Sequence, residues 1–168
     1  MRIGDIKMPK WGYSVINEML NEEKTAKASG RELKVSHKAS REVCHAIKGM
    51  MLTDAKQYLR DVQAKKKSIP YMRYNKKLPH RHGQVNSFSG RYPIKACGVI
   101  LNVLQSAQAN AENKSLDVDR LRIIHAAAYQ GIKLKRFKPR AQGRSSPKFD
   151  TTTHVEIVLD EKPTSGEK

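Results

Sequence analysis

In "KASREVCHAIKGM" the apolar residues Ala39, Val43, Ala46, Ile47 and Met50 return at steps of three and four, the spacing of one buried helical face. Ser36, followed by His37 and Lys38, offers a start for this helix, and Gly49 suits its end. The same period resumes with Ala55, Tyr58, Leu59 and Val62, a second helix that Thr53 is placed to cap and that "KKK" carries out of the core. A third, longer helix is predicted from near Pro93, a residue tolerated in a first turn, to about Asn110. Its stripe is Ala96, Val99, Ile100, Val103, Leu104 and Ala107.

Period-two alternation marks the strands. "RELKVSH" sets Leu33 and Val35 against charged neighbours and reads as a short strand at 31–37. In "RLRIIHAAAYQG", Leu121, Ile123 and Ala127 alternate with Arg122, Ile124 and Ala126. In "THVEIVLDE", Val155, Ile157 and Leu159 face one way while His154 and Glu156 face the other. These two runs bracket "LKRFKPRAQGRSSPKFD", which is far longer than the two to five residues a hairpin turn needs. The simplest geometry is one hairpin over 120–160 whose base belongs to the core and whose basic tip, 132–150, projects. With about a dozen residues on each side beyond the core, such an arm reaches roughly 40 Å. An isolated two-stranded ribbon is marginal in water, so it needs a partner to be ordered.

Before these elements, residues 1–28 show no clear period and read as an extended surface segment that Trp11 and Tyr13 could anchor. A chain of 168 residues predicts a single domain. Neither the N-terminal stretch nor "ACGVILNVL" is apolar over the length that a signal peptide or a membrane span requires, which predicts a cytosolic protein with no membrane insertion. Cys44 and Cys97 fall in apolar-periodic stretches and read as buried, reduced thiols.

Charge changes the picture more than any motif does. The net charge is +17; residues 65–95 carry +9 without one acidic residue, and 131–150 carry +6. A nearly neutral core therefore presents two basic arms, which argues for a polyanionic partner. On the hairpin, Arg136, Arg140 and Arg144 supply planar forks for phosphate or for stacking, and Lys133, Lys135, Lys138 and Lys148 supply point charges. Phe137 and Phe149 have two roles open to them, stacking on exposed bases or clamping the two arms together. In the inserted basic loop, 65–92, Lys65, Lys66 and Lys67 lead into Tyr71, Arg73, Tyr74, Lys76, Lys77, Arg81, Phe88, Arg91 and Tyr92. Aromatic and basic residues mixed in an irregular loop favour RNA with splayed bases over a DNA groove.

Other chemistry is thinly represented. Asp117 and Asp119 in "LDVD" read as a turn before a strand rather than a metal pair, and His80 and His82 have no further ligand at metal spacing. No Gly-rich phosphate loop, metal cluster or nucleophile-and-base constellation is legible, so the pattern predicts neither an enzyme nor a cofactor nor a small-molecule substrate. Three classes stay open on the residues alone: a structural RNA-binding protein, an RNA-modifying enzyme that grips its substrate with the arms, and a DNA-compacting or chaperone-like basic protein. The last would bind duplex DNA about as well as folded RNA.

The ordered series "SREVCHAIKGM", "DAKQYLRDV", "IPYMRYN", "GRYPIKA", "SAQANAENKSLDVDRL" and above all "KPRAQGR" resembles the universal large-subunit ribosomal protein family numbered twenty-two, the exit-tunnel hairpin proteins. The resemblance runs from about Ala28 to Leu159, and the segment 65–92 is similar to the archaeal and eukaryotic form. It implies an α+β fold of three helices packed on a small three-stranded antiparallel sheet, with a long protruding β-hairpin. It implies a cytoplasmic, ribosome-bound structural component that binds large-subunit rRNA, stabilises its folding during assembly and touches neighbouring large-subunit proteins. It also implies that Arg140, Ala141, Gln142 and Gly143 lie nearest the tunnel lumen, within reach of the nascent polypeptide.

Overall fold

Strand β5 (Ser145–Glu161) is the centre of the architecture, because it pairs antiparallel with a neighbour on each side. In this computed structural model, which describes residues 12–15, 21, 23–84 and 89–162, the sheet order is β1 (Thr25–Leu33), β5, β4 (Leu121–Pro139). Three helices cover one face: α1 (His37–Ile47), α2 (Leu52–Gln63) and α3 (Ile94–Asn113). The fold is thus α+β, with three helices on a three-stranded antiparallel sheet and a long β4–β5 hairpin. A two-stranded ribbon, β2 (Ile69–Pro70) with β3 (Gly90–Arg91), closes the base of the inserted loop.

The core lies between helices and sheet. Val155, Ile157 and Leu159 of β5 meet Ala26 and Ala28 of β1 and Leu121 and Ile123 of β4, and above them sit Val43 and Ile47 of α1, Leu59 of α2 and Ile100 and Leu104 of α3. Each helix turns the stripe its spacing predicts toward the core: Val43, Ile47, Ala55, Leu59, Val62, Ala96, Ile100, Val103, Leu104 and Ala107 are buried, Ala39, Ala46, Met50, Tyr58 and Val99 are half-buried, and Cys97 is added at the α3 contact. Gly49 ends α1 with φ +88°, a value that favours glycine. The α1–α2 connection then closes the edge of β4: the Gly49 N–H donates to the Ile123 carbonyl at 2.8 Å and the Ile123 N–H to the Met50 carbonyl at 2.9 Å. An edge that would otherwise be open is satisfied there.

Several local expectations shift. The first strand spans Thr25–Leu33 rather than 31–37, and Val35 is buried just beyond it, its carbonyl accepting from the Thr153 hydroxyl at 2.7 Å. The inward positions of β1 are Ala26, Ala28 and Gly30, small because α3 packs close: a Cβ at Gly30 would lie 2.9 Å from Val103. Such a strand carries little hydrophobic signal. Thr53 lies within α2 rather than capping it, since Met51 holds the cap position.

In β4 the alternation breaks twice, between Ile123 and His125 and between Gln130 and Lys133. Each break places one extra residue on β4, a β-bulge that reverses which side chains face inward. After the first, Ala126 and Ala128 pack on the core in place of Ala127. The second sits where the hairpin leaves the core. A Cβ on Gly131 would come within 2.5 Å of the Thr152 hydroxyl, and that hydroxyl donates to the Ile132 carbonyl at 3.1 Å.

On the opposite face of the sheet, residues 12–15 cross β5: the Ser14 N–H and hydroxyl both donate to Glu156 Oε2, at 3.0 and 2.9 Å. Tyr13 is half-buried, with Lys27 Nζ 6.0 Å from its ring centre; Trp11 lies outside the described residues.

Both thiols are buried, and burial pushes Cys44 and Cys97 up to about 12. A thiol held neutral is a poor nucleophile. At pH 8 both should therefore resist iodoacetamide in the folded protein and react once denaturant is added; prompt double labelling of the native chain would contradict the packing described.

Candidate nucleic-acid interface

The hairpin beyond the second bulge is a regular ladder from Lys133 opposite Thr151 to Pro139 opposite Ser145. At about 3.4 Å per residue it extends roughly 30 Å with its turn, somewhat shorter than the sequence suggested. Lys133, Lys135, Arg136, Phe137, Lys138, Arg140, Arg144 and Lys148 are all exposed on it. Residues directly opposite share a face, so the register divides the ribbon. Lys133, Lys135, Phe137, Pro147 and Phe149 occupy one side, and Arg136, Lys138 and Lys148 the other.

The two phenylalanines meet edge to face, with ring centres 6.2 Å apart and planes at 83°, while Lys133 Nζ lies 5.6 Å from the Phe149 ring centre. They do clamp the two strands together. They nevertheless stay 66% and 44% exposed, which leaves aromatic surface for a partner.

At the tip, Gln142 and Gly143 both take left-handed φ, 58° and 67°, the φ pair of a type I′ turn. The Arg144 N–H donates to the Ala141 carbonyl at 3.3 Å, and the Arg140 N–H to the Arg144 carbonyl at 2.8 Å. Arg140, Ala141, Gln142 and Gly143 therefore form the exposed outer end of the hairpin.

The inserted loop is held differently. Glu42, on the buried side of α1, accepts three backbone N–H groups: Met72 at 3.0 Å on one oxygen, and Arg73 and Tyr74, each at 3.1 Å, on the other. Arg41 Nη1 stands 3.4 Å from the same carboxylate. A buried carboxylate is tolerable only when so satisfied, and here that need fixes the loop. Ile69 and Tyr71 are buried beside it. The sequence signal was available: Glu42 falls three residues after Ala39 and four before Ala46, inside the apolar stripe.

With its backbone fixed, Tyr74 stands near the start of α1, its ring edge-on to His37 at 6.4 Å and flanked by Lys38 Nζ at 5.7 Å and the Arg73 guanidinium at 5.8 Å. Lys76 and Arg91 are exposed around the same hollow, of about 460 Å³, into which Tyr71 also faces. Farther along, the Arg81 guanidinium lies 5.2 Å from the Tyr92 ring centre. Lys65, Lys66 and Lys77 are exposed, whereas Lys67 pairs with Asp61 at 3.3 Å and is partly neutralised; Phe88 lies outside the described residues.

A second hollow, of about 750 Å³, lies at the root of the hairpin between the β1–α1 connection and β5. Lys34, Lys38, Lys95 and Arg136 line it, with Asp150 as its one carboxylate. Lys34, Lys38 and Lys95 were not among the residues expected to bind, because each stands outside the dense basic clusters of the sequence or at their margin.

Ser14, His125 and Glu156 come together on the far face, with the Ser14 hydroxyl 3.1 Å from His125 Nε2 and accepting from the Tyr129 hydroxyl at 2.7 Å. Glu156 approaches the same Nε2, at 4.0 Å, rather than the far ring nitrogen. That is not the relay order of a catalytic triad. Burial and nearby Lys48 push His125 below its ordinary range, and the hydrogen bonds of the cluster latch residues 12–15 to the sheet. Asp117 accepts from the Asp119 N–H at 3.1 Å in a tight turn, and among the described residues no three His, Cys, Asp or Glu side chains gather as a metal site.

Comparison with known proteins bears on this geometry. The family model described as ribosomal protein L22p/L17e matches residues 28–160. The chain is 50% identical over 140 residues to the large ribosomal subunit protein uL22 of Methanosphaera stadtmanae, covering 83% of this chain and 91% of that one. It is 44% identical over 156 residues to that of Methanocaldococcus jannaschii, covering 93% and 98%, and 47% identical over 159 residues to that of Methanopyrus kandleri, covering 92% and 100%.

Replacing the carboxylate tests whether it organises the loop. Glu42→Ala leaves three backbone donors without their acceptor and should cost about 3 kcal/mol, whereas Glu42→Gln keeps one carbonyl oxygen and should cost about 1 kcal/mol. Hydrogen exchange at Met72, Arg73 and Tyr74 should accelerate in the same order. Equal protection in all three proteins would remove Glu42 from the account.

Proposed function

This chain belongs to the ribosomal protein L22p/L17e family, and from that premise we propose that it is a structural constituent of the large ribosomal subunit that binds and stabilises the subunit's RNA. One observation supports this reading more than any other: a ribbon roughly 30 Å long that carries cations on both faces and leaves two phenylalanines exposed. Such a ribbon buries too little of itself to be stable alone. Folded RNA supplies what it lacks, since phosphates on either side neutralise its charges and displaced bases cover its rings.

The rRNA-binding residues are those of the two arms. On the hairpin, Arg136, Arg140 and Arg144 take phosphates as forks while Lys133, Lys135, Lys138 and Lys148 act as point charges, and Phe137 contacts bases. In the inserted loop, Lys65, Lys66, Arg73, Tyr74, Lys76, Lys77, Arg81 and Arg91 do the same, with Lys67 contributing less because Asp61 already pairs with it. Most of the nearly neutral domain stays at the margin of the RNA, beside neighbouring large-subunit proteins. The tip, from Arg140 to Gly143, borders the exit tunnel and meets the nascent polypeptide. The protein is cytoplasmic because the ribosome is, and its contribution is structural rather than enzymatic. Closely spaced phosphates repel one another, so a ribbon of cations threaded between distant RNA segments favours their approach during assembly.

Replacing residues 134–150 by Asn-Gly would join Lys133 to Thr151, which already face each other, through a two-residue turn. The shortened protein should keep its helical circular dichroism and cooperative unfolding yet fail to enter large subunits. Normal incorporation, or loss of the fold, would refute this division of labour. A photo-crosslinker at position 142 should capture nascent chains in translating ribosomes; its failure to capture any would remove the tip from the lumen.

A further inference from the structure

The two basic arms are separate in the sequence, but the fold brings their roots to one place. The hollow at the base of the hairpin and the hollow under the inserted loop share two lining residues, Ser36 and Lys38, at the start of α1. Lys38 is exposed on the ridge between them, and its ammonium lies 5.7 Å from the Tyr74 ring centre. On one side of this ridge stand Lys34, Lys95 and Arg136; on the other stand Arg73, Lys76 and Arg91. Against these seven cations only one carboxylate among the described residues, Asp150, lines either hollow.

We propose that the two hollows form one trough, bridged at Lys38, which seats a single continuous strand of RNA with a base placed against Tyr74. The inference rests on the RNA-binding reading above and adds which residues join the two arms into one site. Cations line both hollows and Lys38 lines each of them, so positive charge passes from the hollow of Arg136 into that of Arg91, which is what a sugar–phosphate backbone needs and a compact anion does not. An A-form duplex would keep its bases stacked inside and offer none to Tyr74, whereas a single strand can turn one outward. The ring is held ready for this: Glu42 fixes its backbone, and His37 and two cations fix its edge and flanks. Aromatic surface set among cations is the recurrent platform for an unpaired base.

The trough predicts a dependence on strand length. Fluorescent oligouridylates of about four to about sixteen nucleotides, the span over which single-strand grooves fill, would be titrated onto the full chain. Affinity should rise steeply once a strand is long enough to cross from one hollow to the other, with one long strand bound per protein at this site. Lys38→Glu should cut the affinity for the long strand roughly tenfold and lower the salt slope by about one, while affecting short strands far less. Arg60→Glu, an equal charge change on the exposed side of α2, should leave the length step in place.

Two short strands binding independently with no step, or a step that survives Lys38→Glu, would overturn the trough while leaving RNA binding intact. Equal affinity for a matched RNA duplex would likewise exclude a single-strand seat. Failure to bind any RNA at low salt would reject the functional reading itself and the trough with it.

Discussion

A single buried carboxylate governs how this basic protein holds its charges. Glu42 gives up water to sit within the core side of α1, and among the described residues the donors that compensate it are three consecutive backbone N–H groups and one arginine. The loop cannot drift from α1 without leaving a buried charge unpaired, which is among the costlier defects a small domain can carry. From that constraint follow the position of Tyr74, the shape of the hollow around it and the closeness of the inserted loop to the hairpin root. One negative charge thereby aligns several positive ones.

The hairpin shows the opposite strategy. Its root is specified by two bulges, by the Thr152 contact to the Ile132 carbonyl and by the glycine that lets His154 and Thr152 come close. Beyond Lys133 it is held by its own ladder and by the pair of phenylalanines that meet across it. One arm is held by a buried charge of the domain, and the other by its own strand pairing. The RNA-binding reading proposed above uses both, a loop fixed beside the root and a ribbon extended beyond it.

Much of this was legible in the sequence, for identifiable reasons. The helices announced themselves because their apolar stripes are long and regular, and the hairpin because two alternating runs bracket a basic segment with nothing to bury. β1 was hidden by its own packing: Ala26, Ala28 and Gly30 must be small under α3, and small residues carry little periodic signal. The bulges were invisible because register depends on the partner strand, so Ala127 read as inward where Ala126 and Ala128 are. Glu42 was overlooked as one charge among many, although its place within the apolar stripe marked it. Lys34, Lys38 and Lys95 come together at the hairpin root only through the fold, which gathers residues that the sequence scatters.

The central claim is that this chain is built into the large ribosomal subunit rather than adsorbed to nucleic acid. It is tested most directly by sedimenting a tagged copy from cell lysate and washing the large-subunit fraction with salt. Contacts made only to surface phosphates lose about three to five decades of affinity over a modest rise in salt, so a superficially bound protein washes away. A chain enclosed by folded RNA is predicted to remain with the large subunit in one copy per particle; release into the free pool, or co-sedimentation with DNA, would contradict the account.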